Sequence, residues 1–268
     1  MNKIRLIPVL FIKNGFIVRS EKFIKHKIIG NVVNQVRRFN QWDVDELIFI
    51  DISRTKTYDS KRDDHKVERV ESLDDILNVV SSECLMPLTF GGGIRNLSTI
   101  KKYISNGADK VVINTLLHLN PSEVKRAVSL FGSQAIVASL DFKINNGQVN
   151  FYIENGTKML NTNFQEMITL LENLGVGEIF LNSMDKDGTG DGYDVEIIKR
   201  FVESTKLPVV GCGGAAFVND FKELASIEGI SGVAAGNLFH FTENAYPRAK
   251  NNLVKNNFNF RLYNPKFL

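Results

Sequence analysis

Eight short, nearly unbroken apolar runs are spaced along the chain: Arg5–Phe11, Glu46–Asp51, Met86–Phe90, Lys110–Asn114, Ala135–Asp141, Glu178–Asn182, Leu207–Gly211 and Gly232–Gly236. Each has strand length, and an unbroken apolar run suits a parallel strand covered on both faces. Segments of helical period lie between them. Val32, Val33, Val36 and Phe39 form one stripe, and Ile100, Tyr103 and Ile104 another. Val124, Ala127, Val128 and Phe131 form a third, followed by Phe164, Met167, Ile168 and Leu171, then Ile197, Ile198, Phe201 and Val202. Strand then helix, eight times over, predicts a parallel α/β fold. Pro8, Pro87 and Pro208 are expected at strand beginnings, where a missing N–H is tolerated.

The polar and glycine signals fall at the other strand ends: Asp51, Gly91-Gly92-Gly93, Asn114-Thr115, Asp141, Asp185, Gly213-Gly214 and Gly236-Asn237. In a (β/α)₈ TIM barrel that end carries the active site. A doubly wound sheet would gather its glycines at one or two switch points instead. The sequence also repeats itself. Thr89-Phe-Gly-Gly-Gly, a helix and Gly107-Ala-Asp-Lys-Val-Val-Ile-Asn-Thr115 are echoed by Val210-Gly-Cys-Gly-Gly, a helix and Gly229-Ile-Ser-Gly-Val-Ala-Ala-Gly-Asn237. Asp45–Asp51 is likewise echoed by Gly177–Ser183. This predicts one barrel domain over 1–268, built from two repeated half-barrels, about 1–131 and 132–258. Two segments break the rhythm. Residues 53–75 form a charged insertion, read as a solvated loop or short helix on the active-site rim. Residues 142–160 contain Asn146-Gly147, a two-residue hairpin signal, so a β-hairpin is expected above the fifth strand.

Composition narrows the function classes. The 33 Lys and Arg against 30 Asp and Glu leave a net charge of +3, too small to argue for nucleic acid. No apolar run approaches the roughly 20 residues of a membrane span. The first residues, cut by Lys13, lack the apolar core and cleavage site of a signal peptide. Cys84 and Cys212 are too far apart in sequence to suggest a disulfide or metal framework, so a reducing, cytoplasmic setting is expected.

Glycines between a strand and a helix N-terminus leave backbone N–H groups open to an anion. One such cluster would read as a tight turn. Two, at symmetry-related strand ends, point to two opposed phosphate sites and a substrate phosphorylated at both ends. Asp141 is the preferred acid–base candidate, because the apolar run Ile136–Leu140 would bury it and raise its pKa. Asp51 is either a structural cap or a functional acid, and Asp185 shapes its loop. His26, His65, His118 and His240 share no metal-ligand spacing and are expected in surface or packing roles. Cys212 has no neighbouring base in the sequence to activate it. No metal or cofactor is expected.

These strings together resemble the cyclase subunit of imidazole glycerol phosphate synthase over nearly the whole chain. The matches are Arg5-Leu-Ile-Pro, Asp45–Asp51, Gly91-Gly-Gly-Ile-Arg95, Gly107-Ala-Asp-Lys110, Ile113-Asn-Thr115, Ser183-Met-Asp-Lys-Asp-Gly-Thr189, Gly192-Tyr-Asp194, Cys212-Gly-Gly-Ala215 and Phe239-His-Phe241. The resemblance implies a heterodimer with a glutaminase docked at the barrel bottom, near Asp109. Ammonia would enter past a charged gate of Arg5, Glu46, Lys110 and Glu178 and react at the top. Substrate or phosphate contacts would fall to Lys13, Arg19, Asp51, Gly92, Gly93, Asn114, Thr115, Asp187, Gly188, Gly213, Gly214, Gly236 and Asn237, and catalysis to Asp141. That family carries a second catalytic aspartate on the first strand; this chain has Phe11 there. A branch acting in surface-polysaccharide sugar pathways resembles it at Ile7-Pro-Val-Leu-Phe-Ile-Lys-Asn-Gly15, Cys84–Arg95 and Leu181–Gly188. That branch implies delivery of ammonia for an acetamidino sugar, with a separate sugar amidotransferase as a further partner; this is the expected role, with a true cyclase subunit of histidine biosynthesis as the alternative.

Overall fold

The computed structural model describes residues 3–55, 58, 71–241 and 243–262. The first half runs β1 (Arg5–Lys13), β2 (Phe16–Glu21), β3 (Lys25–Gly30), α1 (Val32–Gln41), β4 (Leu47–Asp51), α2 (Leu73–Glu83), β5 (Leu88–Gly91), α3 (Leu97–Ser105), β6 (Lys110–Ile113), α4 (Thr115–Leu119) and α5 (Pro121–Phe131). The second runs β7 (Ile136–Asn145), β8 (Gln148–Ile153), β9 (Lys158–Met159), α6 (Phe164–Leu174), β10 (Glu178–Ser183), α7 (Val195–Ser204), β11 (Val209–Cys212), α8 (Val218–Ala225), β12 (Gly232–Ala235), α9 (Leu238–Phe241) and α10 (Ala245–Lys255). Eight strands pair in parallel in the order β1, β4, β5, β6, β7, β10, β11, β12, and β12 returns to β1. This is a closed (β/α)₈ barrel of the α/β class, and all eight apolar runs supply its staves.

The continuous hydrophobicity of those runs follows from their two buried faces. Phe49, Phe90 and Leu181 point outward and join the core under the helices. Ile7, Val9, Ile48, Val112, Val137, Phe180, Val210 and Ala234 point inward and fill the barrel. The helices show the matching stripe; on α1, Val32, Val33, Val36 and Phe39 are buried. One expectation needs correcting. Pro87 and Pro208 do precede their strands, but Pro8 lies inside β1. It occupies the last rung of pairing with β12, and pairing with β4 begins at Val9. At that handover the strand can do without one ladder hydrogen bond.

Two hairpins rise from opposite sides of the ring, since β1 and β7 are four strands apart either way round. Asn146-Gly147 joins β7 to β8, with Asn145 opposite Gln148 and both turn residues at positive φ. Asn14-Gly15 joins β1 to β2 in the same way, with Lys13 opposite Phe16. Positive φ at both central positions is the turn that matches strand twist, and Asn-Gly supplies it most readily. Of the charged stretch 53–75, residues 56, 57 and 59–70 lie outside the described residues. Its end is the start of α2, capped by Ser72 Oγ accepting from Asp75 N at 3.1 Å.

Beneath the barrel, α10 is tied to the first strand. Lys250, wholly buried, is ion-paired with Asp45. The same carboxylate accepts from Leu6 N at 2.9 Å and from Arg261 Nε at 2.8 Å. Tyr246 donates its hydroxyl to Leu6 O at 3.0 Å. Among the described residues no helix is long and apolar enough to cross a membrane.

Candidate functional site

The inward side chains sort by height along the barrel axis. At the strand starts Arg5 (β1), Glu46 (just before β4), Lys110 (β6) and Glu178 (β10) form a ring of alternating charge. Arg5 is ion-paired with both glutamates. Lys110 Nζ lies 3.0 Å from Glu46 and 3.0 Å from Glu178. Thr89 adds a hydrogen bond to Glu46 at 2.8 Å. Burial alone would raise the Glu178 pKa, but the bonds and charges of Arg5 and Lys110 outweigh it and hold the carboxyl below its ordinary value. Asp109, exposed at the same end, already accepts from Leu88 N at 2.8 Å.

Above the ring the interior is apolar, through Ile7, Val9, Ile48, Val137, Phe180 and Val210. It then opens at the strand C-termini into a cavity of about 620 Å³. Seven of the candidate residues line it: Lys13, Asp51, Gly92, Gly93, Asn114, Thr115 and Asp141. Phe11 lines it too, on the strand facing Asp141 across the ring.

Asp141 is a buried acid of this cavity. Asn114 Nδ2 donates to it at 3.3 Å and Asn182 Nδ2 at 3.4 Å. Burial pushes its pKa up to about 7; the Asn182 hydrogen bond lowers it slightly and the charge of Asp187 raises it. A carboxyl poised there can take and return a proton near neutral pH. Asp51 is held differently. Its oxygens accept from Ser53 N at 3.0 Å, Ser53 Oγ at 2.6 Å and Tyr58 Oη at 2.7 Å, so it pins the loop after β4.

The glycine loop between β5 and α3 passes directly over Asp51. A Cβ on Gly92 would stand 2.0 Å from Asp51 O, and Gly92 has φ +99°. Only glycine fits both constraints. Gly92→Ala is therefore expected to cost about 1–3 kcal/mol of stability, at the upper end because the clash is with backbone. A lowered urea midpoint for the variant checks this.

The remaining candidates gather elsewhere, against the β2–β3 hairpin. Ser20 Oγ donates to Asp187 at 2.6 Å, and Phe23 N at 3.1 Å. Asn237 Nδ2 donates to Ser20 O at 2.9 Å, and Arg19 Nη2 reaches Gly188 O at 3.5 Å. Gly213 and Gly214 pack on Ser183 and Gly192, and Gly236 on Val9. The hairpin so pinned reaches across the mouth. Its tip residue Phe23 meets the turn at Gly156, beside Met184. The two candidate anion loops thus differ: one faces the open cavity, and beside the other Asn237 and Asp187 are bonded to the hairpin.

Several lining residues were not singled out by the sequence. Ser139 and Asn182 point inward from β7 and β10 next to Asp141, as strand alternation requires. Lys22, Arg54, Arg95 and Lys143 add positive charge. His26 lines the cavity from β3. The signal that could have placed it is Asn14-Gly15, the same dipeptide that marked the second hairpin. His118 and His240 do not line the cavity; burial pushes each pKa down to about 4. His65 lies outside the described residues.

A family model described as "Histidine biosynthesis protein" matches residues 5–245. Relatives named imidazole glycerol phosphate synthase subunit HisF include those of three organisms. That of Alkaliphilus metalliredigens is 37% identical over 251 residues, 93% of this chain and 95% of its own. That of Metallosphaera sedula is 35% identical, covering 88% of this chain and 90% of its own. That of Leuconostoc mesenteroides is 32% identical, covering 96% and 98%.

Proposed function

Because the chain belongs to the histidine biosynthesis protein family, we propose that it is the ammonia-using, cyclase-type subunit of a synthase. In this reading a glutaminase subunit docks on the strand-start face, around the charge ring and Asp109. Ammonia passes up the barrel and meets a small phosphorylated substrate in the cavity at the mouth. The carrying observation is the order of the interior: a ring of paired charges, an apolar shaft, then a cavity holding the buried, pKa-raised acid Asp141. Neutral ammonia crosses an apolar shaft at little cost, whereas ammonium would have to shed its hydration. The shaft therefore delivers the nucleophilic form and keeps out the charged one.

At the mouth, the open loop of Gly92 and Gly93 with Asn114 and Thr115 supports one phosphate. Gly188, Gly213, Gly214, Gly236 and Asn237 support the second once the hairpin bonds to Asp187 and Asn237 are exchanged for a ligand. Lys13, Arg19 and the other cations around the mouth suit a substrate of two negative ends. Asp141 exchanges a proton with the reacting end of the substrate that lies against β7. The setting is the cytoplasm, and no metal or cofactor is needed for these steps.

A second reading rests on Phe11. With no ionisable group there, the chain would supply ammonia to a separate sugar amidotransferase that makes an acetamidino sugar for a surface polysaccharide. One experiment separates the two. The chain is copurified with a glutaminase, then given glutamine or ammonium salts with the bisphosphorylated substrate of imidazole glycerol phosphate synthase. Ring closure with either nitrogen source upholds the cyclase reading. Stimulated glutamine hydrolysis with no ring closure upholds the second. No complex and no turnover with ammonium would sink both.

A further inference from the structure

The cavity faces a chemical imbalance. Addition of ammonia followed by loss of water or another leaving group needs a proton taken at one place and given at another. Asp141 serves one side, and the opposite wall is Phe11. Asp51 already accepts three hydrogen bonds, from Ser53 and Tyr58, that hold it to the loop after β4. Among the described lining residues, one further side chain has an ordinary pKa near neutrality: His26.

His26 is carried over the cavity by the β2–β3 hairpin, on a rung opposite Ser20, whose hydroxyl is fixed to Asp187. Its Nδ1 lies 3.4 Å from Nζ of Lys13, the last residue of β1 and itself a lining residue. Lys13 thus projects from the same strand as Phe11, two residues further on. We propose that Lys13 and His26 form a proton relay that supplies the second acid–base group of this cavity, in the place that Phe11 leaves empty. This inference rests on the reading of the chain as an ammonia-using synthase subunit.

The chemistry follows from donor inventory. A lysine ammonium can only donate, so Nδ1 of His26 accepts and the imidazole hydrogen sits on Nε2. Nε2–H is then the donor left for a ligand. When it gives its proton to a departing oxygen, the Nε2–H bond breaks and an O–H bond forms. In the same event Nδ1 takes a proton from Lys13 Nζ, so the imidazole stays neutral and the ammonium becomes an amine. Solvent at the mouth reprotonates the amine. Run backwards, the relay is a base. The surroundings keep the ring neutral, as the relay requires. Burial lowers its pKa below the ordinary value, and the charges of Lys13 from β1 and Arg54 from the loop after β4 lower it further.

The test uses the full chain, ammonium salts and the bisphosphorylated substrate, with wild type, His26→Gln, His26→Ala and Lys13→Met. Loss of a positioned acid–base group lowers turnover about 10²–10⁴-fold. His26→Gln should show a fall in kcat in that range with KM little changed, loss of one limb of the pH profile, and partial rescue of His26→Ala by added imidazole. Unchanged kcat and an unchanged profile would overturn the relay. A wild type that turns nothing over withdraws the cyclase reading, and the relay is then judged by ¹⁵N NMR of the imidazole. An Nε2–H tautomer in wild type that becomes a mixture in Lys13→Met upholds it. The same tautomer populations in both proteins overturn it.

Discussion

Asp141→Asn is expected to abolish most turnover and, above pH 7, to make the protein more stable. Asparagine fills the same space but cannot take a proton, so the loss in kcat should fall in the range of about 10²–10⁴-fold. The stability effect comes from the same burial that makes the residue useful. In the unfolded chain Asp141 titrates near the ordinary carboxylate value of 3.8; in the folded chain it titrates near 7. Between those pH values the folded state holds more proton than the unfolded state. Stability therefore falls as pH rises across that window, and above 7 the fold carries a buried charge. Removing the charge returns up to about 4 kcal/mol at pH 8 and nothing at pH 3. The Asn114 and Asn182 hydrogen bonds, made to two carboxylate oxygens, fit an amide less well and reduce the gain to about 2–3 kcal/mol. Denaturant unfolding at pH 4 and pH 8 tests the sign. A variant that loses activity without the pH-dependent gain would mean that Asp141 is not the raised acid.

The largest loss of stability is expected from Asp45→Ala. Its carboxylate is the counter-charge of Lys250, a side chain with no exposed surface, and also receives Leu6 N and Arg261. Removing it leaves an ammonium buried without a partner, which costs about 3–5 kcal/mol. Burial already holds the Lys250 pKa below its ordinary value despite Asp45. Without Asp45 the lysine should lose its proton more readily still. The matching variant separates charge from packing: Lys250→Met added to Asp45→Ala should recover most of the loss, because an apolar chain needs no counter-ion. Urea unfolding of both single variants and the double variant gives the coupling. Simple additivity would mean that the pair contributes little and that α10 is held by packing alone.

Much of the barrel was legible in the sequence because a parallel stave has two buried faces. Runs such as Glu178–Asn182 and Ala135–Asp141 then stand out as unbroken apolar stretches. The candidate site was legible at Gly92, Asn114 and Asp141, since each ends or closely follows a run and each faces the cavity. Pro8 was misplaced because its tolerance depends on which neighbouring strand it has just stopped pairing with. His26 was passed over because its importance comes from a hairpin. Asn14-Gly15 announces the turn, but the reach of β3 over the mouth depends on Ser20 meeting Asp187, 167 residues later.

By itself, then, the chain determined its staves, its helix stripes, the Asn-Gly turns of its hairpins and the acid Asp141 on the fifth stave. These are written in periods of 2 and 3.6 and in local backbone preference. The tertiary structure alone decided that one glycine loop faces open space while a hairpin is bonded beside the other. It also brought Arg5, Glu46, Lys110 and Glu178 into one ring, gave Asp141 its raised pKa, and set Lys13 against His26. Those outcomes depend on distance and burial among residues far apart in the chain, and no local pattern encodes either one.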